Sequence, residues 1–343
     1  MTDLLLTWFK EHGRNLPWRQ ARSPYRVLVA ETMLQQTRVE TVIPYYQRWM
    51  RRFPSLAELA SASFDDVLKC WEGLGYYRRA RYLHQTAQLL MKDHQGRLPR
   101  DYRTLLTLPG VGSYTAAALS SLVFDEPYVA VDGNLKRIAS RLFTVAGQVT
   151  SNEVTRRLEP YLPATQPGAF NEALMDLGAT VCIPKRPVCS ECPLTSRCQA
   201  FLTGQTEAFP QKTSGRKIPR RTRYGLIHIA AKDIWLERRS HNEMLAGLWG
   251  FVQVQNRPVT GIILQDVHHT YTHFKLRLIP VIVPSDDPVL NRSRAVRIPL
   301  TKLTELAFSV LDRKILALLE QSKYLTTDNR EPSPVSARIA APT

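Results

Sequence analysis

Four cysteines lie in one short segment, with a spacing that suits a metal or iron–sulfur site. Cys182, Cys189, Cys192 and Cys198 follow the pattern C-x6-C-x2-C-x5-C. Four thiolates this close in sequence can bind one centre. Zinc ribbons and fingers tend to repeat a two-residue spacing in both halves, whereas here only the middle pair has it. The spacing leaves an iron–sulfur cluster, zinc and unligated thiols as alternatives, while Cys70 is expected to be a buried apolar residue.

Two carboxylates occupy contrasting sequence environments. Glu31 lies among apolar residues of a helix that starts at Ser23 and Pro24, so burial is expected to raise its pKa, as a general acid requires. Asp132 follows an apolar run and precedes Gly133, which predicts a helix N-cap, where backbone N–H groups favour the ionised form. Together they could supply an acid and a charge that stabilises a cation. The alternatives are a buried glutamate satisfied by its neighbours and a purely structural cap.

A glycine-containing turn between two helical segments predicts a phosphate site. The sequence Leu-Pro-Gly-Val-Gly at 108–112 precedes an Ala-rich helix that begins at Ser113. Gly110 and Gly112 permit a tight hairpin and leave backbone N–H groups bare at the start of that helix. Such groups suit a phosphate oxygen, so the segment predicts a helix-hairpin-helix.

The charge of the chain favours a polyanionic partner. Forty-six Lys and Arg against thirty Asp and Glu give a net charge of +16 over 343 residues, a length sufficient for two domains. The bland alternative is that this charge only keeps the protein soluble. No secretory signal or membrane span is expected, because the first apolar residues form a short amphipathic helix. The cysteines are therefore expected in a reducing compartment, with a cytoplasmic location.

Periodicity divides the chain into a helical part and an α+β part. Apolar residues at three- and four-residue spacing predict a helical domain over 1–203. The basic stretch 204–223 contains Pro and Gly and predicts a linker, and the polar residues 326–343 predict a disordered tail. Between them, an α+β domain over 224–325 is predicted from strands at Tyr224–Ala230, Ile234–Arg238, Trp249–Val254 and Lys275–Val283.

These features together resemble the helix-hairpin-helix base-excision DNA glycosylases that carry a [4Fe–4S] cluster. The hairpin, the run Val-Ala-Val-Asp-Gly-Asn at 129–134 and the cysteine set occur in the same order. The chain is most similar to the adenine-DNA glycosylase (MutY) family, through Glu-Thr-Met-Leu-Gln-Gln-Thr at 31–37 and Gly-Leu-Gly-Tyr-Tyr at 73–77. The resemblance covers nearly everything outside the linker and tail. It implies a mainly α glycosylase domain followed by an α+β Nudix-like domain.

The resemblance also implies roles for the candidate catalytic residues. The matching Glu31 protonates adenine, and the matching Asp132 stabilises the sugar cation or a covalent intermediate derived from it. Asn134 matches a residue that assists in the site. Tyr114 occupies the position at which strand-cutting relatives carry a lysine that forms a Schiff base with the sugar. The resemblance therefore implies a monofunctional glycosylase that leaves an abasic site.

Adenine stacked in a duplex must be flipped out before its sugar bond can be reached. Residues matching Gln36 and Tyr76 fill the gap or contact the widowed base, although the Tyr76 ring could instead pack on the core. The candidate phosphate contacts are Arg78, Arg79, Arg81, Lys136 and Arg137, with a solvated basic face as the alternative. The predicted DNA-binding set is completed by Thr37, Gly110, Gly112, Ser113 and Lys136.

The second domain resembles a Nudix fold without its hydrolytic metal site. Leu-Ala-Gly-Leu-Trp-Gly-Phe at 245–251 carries that resemblance, yet no Glu lies between Glu243 and Glu305. A recognition role is therefore expected. The sequence at 269–274 matches the family loop for 8-oxoguanine, where Phe-Ser-His is usual and Tyr271, Thr272 and His273 stand here.

The sequence thus predicts a monomeric repair enzyme that excises adenine opposite 8-oxoguanine or guanine in double-stranded DNA. Its expected cofactors are a [4Fe–4S] cluster and a monovalent or divalent cation at the hairpin. Two rivals stay open. One is an endonuclease III-like glycosylase and lyase for damaged pyrimidines, and the other is a non-catalytic, cluster-bearing DNA-binding protein.

Overall fold

The computed structural model describes residues 1–145, 147–211, 218–291, 293–322 and 324, which divide into two compact units. The N-terminal unit comprises the described residues of Met1–Ala62 and Arg81–Gly215, and the C-terminal unit those of Ser63–Ala80 and Arg216–Thr343. The sequence had placed 63–80 in the helical domain, so this segment departs from the predicted division. The tail predicted at 326–343 and the linker residues 212–217 lie outside the described residues.

The N-terminal unit is built from helices whose starts are marked by capping side chains. Ser23, Asp101 and Asp132 each accept a hydrogen bond from a backbone N–H three residues later. The helices up to residue 203 are α1 (Thr2–His12), α2 (Pro17–Gln20), α3 (Pro24–Leu34), α4 (Val39–Arg52), α5 (Leu56–Ser61), α6 (Phe64–Trp71), α7 (Arg78–Asp93), α8 (Tyr102–Thr107), α9 (Ser113–Phe124), α10 (Gly133–Leu142), α11 (Ser151–Leu158), α12 (Pro167–Thr180) and α13 (Gln199–Leu202), with 3-10 turns at Glu159–Tyr161, Cys189–Glu191 and Thr195–Arg197.

Helix α12 lies at the centre of the N-terminal unit and organises the helices that carry the candidate catalytic residues. Helices α1, α9 and α10 pack against it, and α3 packs on α9. Leu135 and Ile138 of α10 share a core with Phe170 and Leu174 of α12. Gly168 permits the closest approach, since a Cβ there would lie 2.7 Å from the carbonyl oxygen of Ser121 in α9. This packing fixes the starts of α9 and α10 relative to α3.

The C-terminal unit contains one mixed sheet, one antiparallel sheet and a long helix. The elements are β1 (Arg220–Ile227), β2 (Ile229–Ala230), β3 (Asp233–Arg238), β4 (Trp249–Gly250), β5 (Val252–Val254), β6 (Ile262–Ile263), β7 (Val267–Thr270), β8 (Lys275–Ile282), α14 (Pro288–Asn291), β9 (Val296–Pro299) and α15 (Val310–Gln321), with a 3-10 turn at Leu300–Lys302. The mixed sheet has the order β5-β1-β8-β6 with β7 also paired to β8, and its strands β1 and β8 run parallel, in register from Arg220 with Lys275 to Ile227 with Ile282. The antiparallel sheet has the order β2-β3-β4 with β9 paired to β3.

Helix α15 closes the core of the C-terminal unit. Its Leu311, Ile315 and Leu319 pack with Leu276 and Leu278 of β8. The predicted fold class, a helical part followed by an α+β part, is confirmed. Strand β1 begins at Arg220, within the stretch predicted as linker, and β6, β7 and β9 were not predicted because they are short or partly exposed. No helix in the described ranges is both long and apolar enough to span a membrane.

Candidate active site

Glu31 is buried in helix α3, with only 4% of its surface exposed. The helix starts with Ser23, whose side chain accepts a hydrogen bond from Arg26 N, and with Pro24 at its first position. Every residue from Val27 to Met33 is buried, so the carboxyl group is surrounded by protein rather than water. Burial raises the pKa of Glu31 to about 7. The direction predicted from its apolar neighbours is confirmed.

Tyr114 is the hydrogen-bond partner of Glu31. It lies in the first turn of α9, and its hydroxyl group donates to Oε2 of Glu31 over 2.8 Å. This bond stabilises the carboxylate and lowers the pKa of Glu31 against the larger effect of burial. Burial, with the nearby charges of Glu31 and Asp132, raises the pKa of Tyr114 well above 10. Tyr114 is therefore a stable donor at neutral pH.

Asp132 is the N-cap of helix α10, as predicted. Its Oδ1 accepts a hydrogen bond from Leu135 N over 2.8 Å. The cap favours the ionised form as predicted, but burial has the larger effect and raises the pKa of Asp132 overall. The backbone N–H groups of Leu135 and Asn134 lower this pKa but do not compensate for the lost water. Asp132 also raises the pKa of Glu31, so the two carboxylates are electrostatically coupled.

A cluster of arginines and acids lies near Glu31 and was not predicted from the sequence. Asp176 is fully buried and accepts hydrogen bonds from Arg14 Nε and Arg19 Nη1, each over 2.8 Å. Glu172 accepts from Arg19 Nε over 3.0 Å and from Arg22 Nη2 over 2.7 Å. Glu172 raises the pKa of Glu31, whereas Arg19 lowers it. The sequence signal was the four-residue spacing of two acids on one face of α12.

Asn134 connects the start of α10 to the cysteine segment. Its Oδ1 accepts a hydrogen bond from Arg137 Nη2 over 2.8 Å. The same guanidinium donates to the carbonyl oxygen of Gly178 over 2.6 Å and, through Nε, to that of Cys182 over 2.8 Å. Arg137 was a predicted phosphate contact, but it is buried and uses these groups instead. Arg137 therefore holds Asn134 and the cysteine segment in position instead of contacting a phosphate.

Arg141, one turn further along α10, holds the cysteine segment in place. It is almost fully buried, at 2% exposed, and its guanidinium group donates to backbone carbonyl oxygens at the start of that segment and after its end. Nη1 donates to Ile183 O over 2.7 Å, and Nε donates to Thr206 O over 2.9 Å. Nη1 also lies 3.4 Å from Sγ of Cys182. An arginine on an amphipathic helix gave no sequence signal for this role.

The four cysteines are half-buried free thiols that influence one another. Burial raises the pKa of Cys192 to about 12, and the charges of Cys182, Cys189 and Cys198 raise it further. Within the described ranges, no group of three or more His, Cys, Asp or Glu side chains is arranged to hold a metal ion. The mutual effect shows that the thiols lie within electrostatic reach of one another. Four thiol donors in one loop fit the set of ligands that an iron–sulfur cluster uses.

The predicted helix-hairpin-helix is confirmed, with α8 and α9 joined by the residues 108–112. Gly110 has a φ of +75°, and a Cβ there would lie 2.7 Å from Cβ of Tyr82, so both its conformation and its surroundings require glycine. Gly112 is the N-cap of α9 and faces open space. Gly112 and Ser113 are exposed, which leaves the first N–H groups of a twelve-residue helix accessible to an anion.

The remaining DNA-binding candidates of the N-terminal unit differ in exposure. Helix α3 ends at Leu34, and Gln36 beyond it is exposed with a φ of +57°. Thr37 is half-buried, and its hydroxyl donates to Gln35 O over 3.4 Å. Lys136 is half-buried in the first turn of α10. Gln36 is thus the exposed member of this group, whereas Thr37 and Lys136 are half-buried.

In the C-terminal unit, Tyr76 and Thr272 meet. Tyr76 is 46% exposed, so its ring does not pack into the core, and its hydroxyl lies 3.3 Å from Oγ1 of Thr272. Thr272 and His273 form the exposed tip of the hairpin between β7 and β8, which is closed by a bond from Tyr271 N to Phe274 O over 2.9 Å. These two segments are 196 residues apart in sequence.

Tyr271 supports this hairpin from inside. Its ring centre lies 4.9 Å from that of Phe274 and 4.5 Å from that of His269, and it packs on the core of the unit. Burial raises the pKa of Tyr271 to about 12. Of the three residues predicted to read the opposite base, Thr272 and His273 are therefore exposed at the tip, whereas Tyr271 lies beneath them.

Two family models match the chain. Residues 29–164 match the HhH-GPD superfamily of base excision DNA repair proteins, and residues 223–318 match the NUDIX domain. The first match contains Glu31, Tyr114 and Asp132, and the second contains the Thr272 hairpin.

Curated adenine DNA glycosylases from several organisms match over most of the chain. The chain is 32% identical over 301 residues to the adenine DNA glycosylase of Buchnera aphidicola subsp. Schizaphis graminum, and the match covers 82% of this chain and 87% of the relative. It is 34% identical over 353 residues to the adenine DNA glycosylase of Homo sapiens, covering 79% and 64%. It is 41% identical over 247 residues to that of Mus musculus, covering 67% and 48%.

Solved structures resemble the helical part. A thermostable thymine-DNA glycosylase is 28% identical with a TM-score of 0.55, covering 59% of this chain and 95% of that one. A trapped endonuclease III–DNA covalent intermediate is 24% identical with a TM-score of 0.52, covering 59% and 94%. The second likeness shows the fold.

Proposed function

Because this chain belongs to the adenine DNA glycosylase family of HhH-GPD base excision repair proteins, we propose that it excises undamaged adenine paired with 8-oxoguanine or guanine. It is an enzyme that hydrolyses N-glycosidic bonds. The proposal adds the pairing partner, a reaction without strand cleavage, double-stranded DNA as substrate and action as a monomer.

The observation that carries the proposal is the buried carboxyl group of Glu31, whose pKa is about 7. Near neutral pH a large fraction of this group is protonated, whereas an ordinary carboxyl would be almost fully ionised. A protonated carboxyl can donate a proton to a ring nitrogen of adenine, which makes the base a better leaving group. The Tyr114 hydroxyl donates to Oε2 of Glu31, so Oε1 is the oxygen proposed to carry the proton to adenine.

Asp132 is proposed to stabilise the sugar once the base departs. Burial makes its negative charge costly in the free enzyme, and a cationic sugar nearby would offset that cost and favour the carboxylate. The N–H groups of Leu135 and Asn134 orient the carboxylate, and Arg137 holds the side chain of Asn134.

Tyr114 supports a reaction without strand cleavage. A lyase forms a Schiff base through an amine, and the phenol at this position supplies none. Its hydroxyl is occupied by Glu31, and its pKa lies well above 10, which makes it a poor nucleophile at neutral pH. Water is therefore proposed to attack the sugar, leaving an abasic site.

The predicted DNA contacts become proposals with distinct roles. Gly110, Gly112 and Ser113 would bind a backbone phosphate through the N–H groups at the start of α9, and a cation at the hairpin would assist them. Gln36 and Tyr76 would fill the gap or contact the widowed base, Lys136 would contact a phosphate, and Thr37 would contact DNA beside Gln36. Thr272 and His273, which are exposed hydrogen-bonding groups, would read the base opposite adenine.

A [4Fe–4S] cluster is proposed on Cys182, Cys189, Cys192 and Cys198. Such a cluster would brace the loop and could respond to redox change. Arg141 would fix the loop to α10 through its carbonyl oxygens, and Arg137 would connect the loop to Asn134. Iron and acid-labile sulfide in the protein, lost on replacing Cys192 by Ala, would support the assignment. Stoichiometric zinc without sulfide would overturn it.

One assay tests the proposed reaction. The purified protein is incubated with duplexes containing adenine opposite 8-oxoguanine, guanine or thymine, and with thymine glycol opposite adenine. Adenine release opposite 8-oxoguanine and guanine, with strand scission only after alkali, is the expected result. Direct scission at thymine glycol would instead indicate the endonuclease III-like rival. No turnover on any duplex would indicate a binding protein.

A further inference from the structure

The carboxylate of Glu72 joins Ser63–Ala80 to the rest of the C-terminal unit through several hydrogen bonds. It follows helix α6 directly, and its Oε1 accepts from Arg313 Nε over 2.6 Å and from Phe308 N over 2.9 Å. Its Oε2 accepts from Lys69 Nζ over 2.9 Å and from Arg313 Nη2 over 3.0 Å. Although burial opposes it, these bonds hold the pKa of Glu72 below its usual value.

The bonds of Glu72 to Arg313, Lys69 and Phe308 are called the Glu72 clamp below. Arg313 and Lys69, two of the donors in this clamp, also make other hydrogen bonds. Arg313 Nη2 and Lys69 Nζ both donate to the carbonyl oxygen of Leu306, over 3.2 Å and 2.9 Å. The guanidinium of Arg313 lies 4.8 Å from the ring centre of Phe308. Arg313 binds Glu72 through two nitrogens and is also held by Leu306 and Phe308. Its side chain therefore loses little conformational freedom when it pairs with Glu72, and the geometry of the clamp is well defined.

The turn that presents Tyr76 starts at this clamp. Gly73 and Gly75 have φ of +95° and +80°, and Tyr76 itself has a φ of +50°, a conformation that costs free energy for a residue with a side chain. The carbonyl oxygen of Gly75 accepts from Trp71 Nε1 over 3.0 Å and from Arg79 Nη2 over 3.1 Å. The surrounding bonds therefore impose the turn.

Tyr77 connects the turn to the clamp a second time. Its hydroxyl accepts from Gly73 N over 3.0 Å and donates to Phe308 O over 3.1 Å. Glu72 binds the N–H group of the same Phe308. Both backbone polar groups of Phe308 are thus held by the Tyr76 turn, at the start of the segment that leads into α15.

We propose that Glu72 is a positioning residue for opposite-base discrimination, because its bonds to Arg313, Lys69 and Phe308 hold the exposed Tyr76 turn beside the Thr272 hairpin. The two hydroxyl groups, 3.3 Å apart, then meet the base opposite adenine as one preformed surface. This inference rests on the proposed function. A preformed surface avoids the entropic cost of ordering two segments during binding. If the turn were loosened, this cost would reduce the affinity of each complex.

The test measures discrimination rather than activity alone. Single-turnover rates of adenine excision opposite 8-oxoguanine and opposite guanine are compared for the wild type and Glu72→Gln, which keeps the size of the side chain but removes its charge. The expected result is a loss of about three- to tenfold in the ratio of the two rates, as for residues coupled through a shared network. The rate opposite guanine is expected to stay within about twofold, because Glu72 does not touch the reacting groups.

A matched control separates positioning from general stability. Asp233→Asn removes the charge of another acid in the same unit, which pairs with Arg297 over 2.5 Å. It should lower the thermal midpoint as Glu72→Gln does, yet leave the rate ratio unchanged. If Glu72→Gln does not fold, Arg313→Lys keeps the charge and loses the bidentate geometry, and it should reduce the ratio in the same direction.

A double-mutant cycle gives the sharpest readout. Tyr76→Phe and Thr272→Val each remove one hydroxyl group, and their effects on the rate ratio should be non-additive in the wild-type background but additive with Glu72→Gln. Full discrimination and unchanged coupling in folded Glu72→Gln would overturn this inference alone. A wild type that excises adenine equally fast opposite both bases would also overturn this inference, because there would be no discrimination to position, but it would leave the proposed excision of adenine intact.

Discussion

The carboxylate site of the N-terminal unit and the Tyr76–Thr272 pair of the C-terminal unit use burial in opposite ways. Glu31 is 4% exposed, whereas Tyr76 is 46% exposed. In the first region Glu31 is buried and Asp132 is half-buried, and the loss of water raises the pKa values of both. In the second, the hydroxyls of Tyr76 and Thr272 are exposed, whereas Glu72 is a half-buried carboxylate paired with Arg313. A proton donor needs a perturbed pKa, but a reader of bases needs access and rigidity.

The sharpest way to break this comparison is Glu31→Gln. The amide has nearly the same shape but no proton to give, so adenine excision should fall by about 10²- to 10⁴-fold, while binding to duplex DNA is retained. Single-turnover excision and fluorescence anisotropy measure the two effects. Glu11→Gln, an exposed change on α1, is the matched control and should alter neither. Excision near the wild-type rate would refute the assignment of Glu31 as the acid.

The same substitution should stabilise the protein at high pH, since burial of a charge is costly. Glu31 has a folded-state pKa of about 7 against 4.5 for an ordinary carboxyl, so between these values the folded protein binds more protons than the unfolded one. Stability therefore falls as pH rises through this window, by up to about 3 kcal/mol.

Urea unfolding at about pH 4 and about pH 8.5 tests this sign. Glu31→Gln should match the wild type near pH 4 and exceed it at high pH, whereas Glu11→Gln should follow the wild type throughout. A variant that is less stable than the wild type at the higher pH would show that Glu31 is not destabilised by burial. Burial would then not distinguish the carboxylate site from the Tyr76–Thr272 pair in the way described above.

The two regions also differ in how far they could be predicted from sequence. Glu31 was found because its neighbours along one helix are apolar, and Asp132 because glycine and a helix follow it. These are local signals. The direction of the Asp132 pKa was nevertheless predicted wrongly, since local capping bonds were visible in the sequence and the burial imposed by tertiary packing was not.

In the C-terminal unit, the decisive contacts join residues far apart in sequence. The Tyr76–Thr272 contact spans 196 residues, and the Glu72–Arg313 pair spans 241. Periodicity and spacing carry no information about such pairs. The resemblance identified Thr272, but neither it nor composition indicated that Ser63–Ala80 belongs to the C-terminal unit. Arg137 was given the wrong role and Arg141 was missed, because a buried arginine looks like surface charge in a sequence.

Replacing both Thr272 and His273 by Ala tests whether recognition is separable from chemistry. Losing two exposed hydrogen-bonding groups should narrow the preference for 8-oxoguanine over guanine by about tenfold. Excision opposite guanine should hardly change, because Glu31 and Asp132 lie in the other unit. Thr301→Ala with His241→Ala, both exposed positions of the same unit, is the matched control. Unchanged discrimination in single-turnover assays would refute the reading role.

The smallest expected effect is a shift in the pH profile on Tyr114→Phe. The Tyr114 hydroxyl donates to Glu31 and stabilises its carboxylate, so removing it should raise the pKa of Glu31 above about 7. The acid form then persists to higher pH, and the alkaline limb of the single-turnover rate should move upward. Below that limb the rate should change by no more than a few-fold, since the proton donor remains. Tyr161→Phe, elsewhere in the N-terminal unit, should leave the limb in place. A limb that moves downward would mean that Tyr114 favours the protonated carboxyl, and that burial alone does not set the acid.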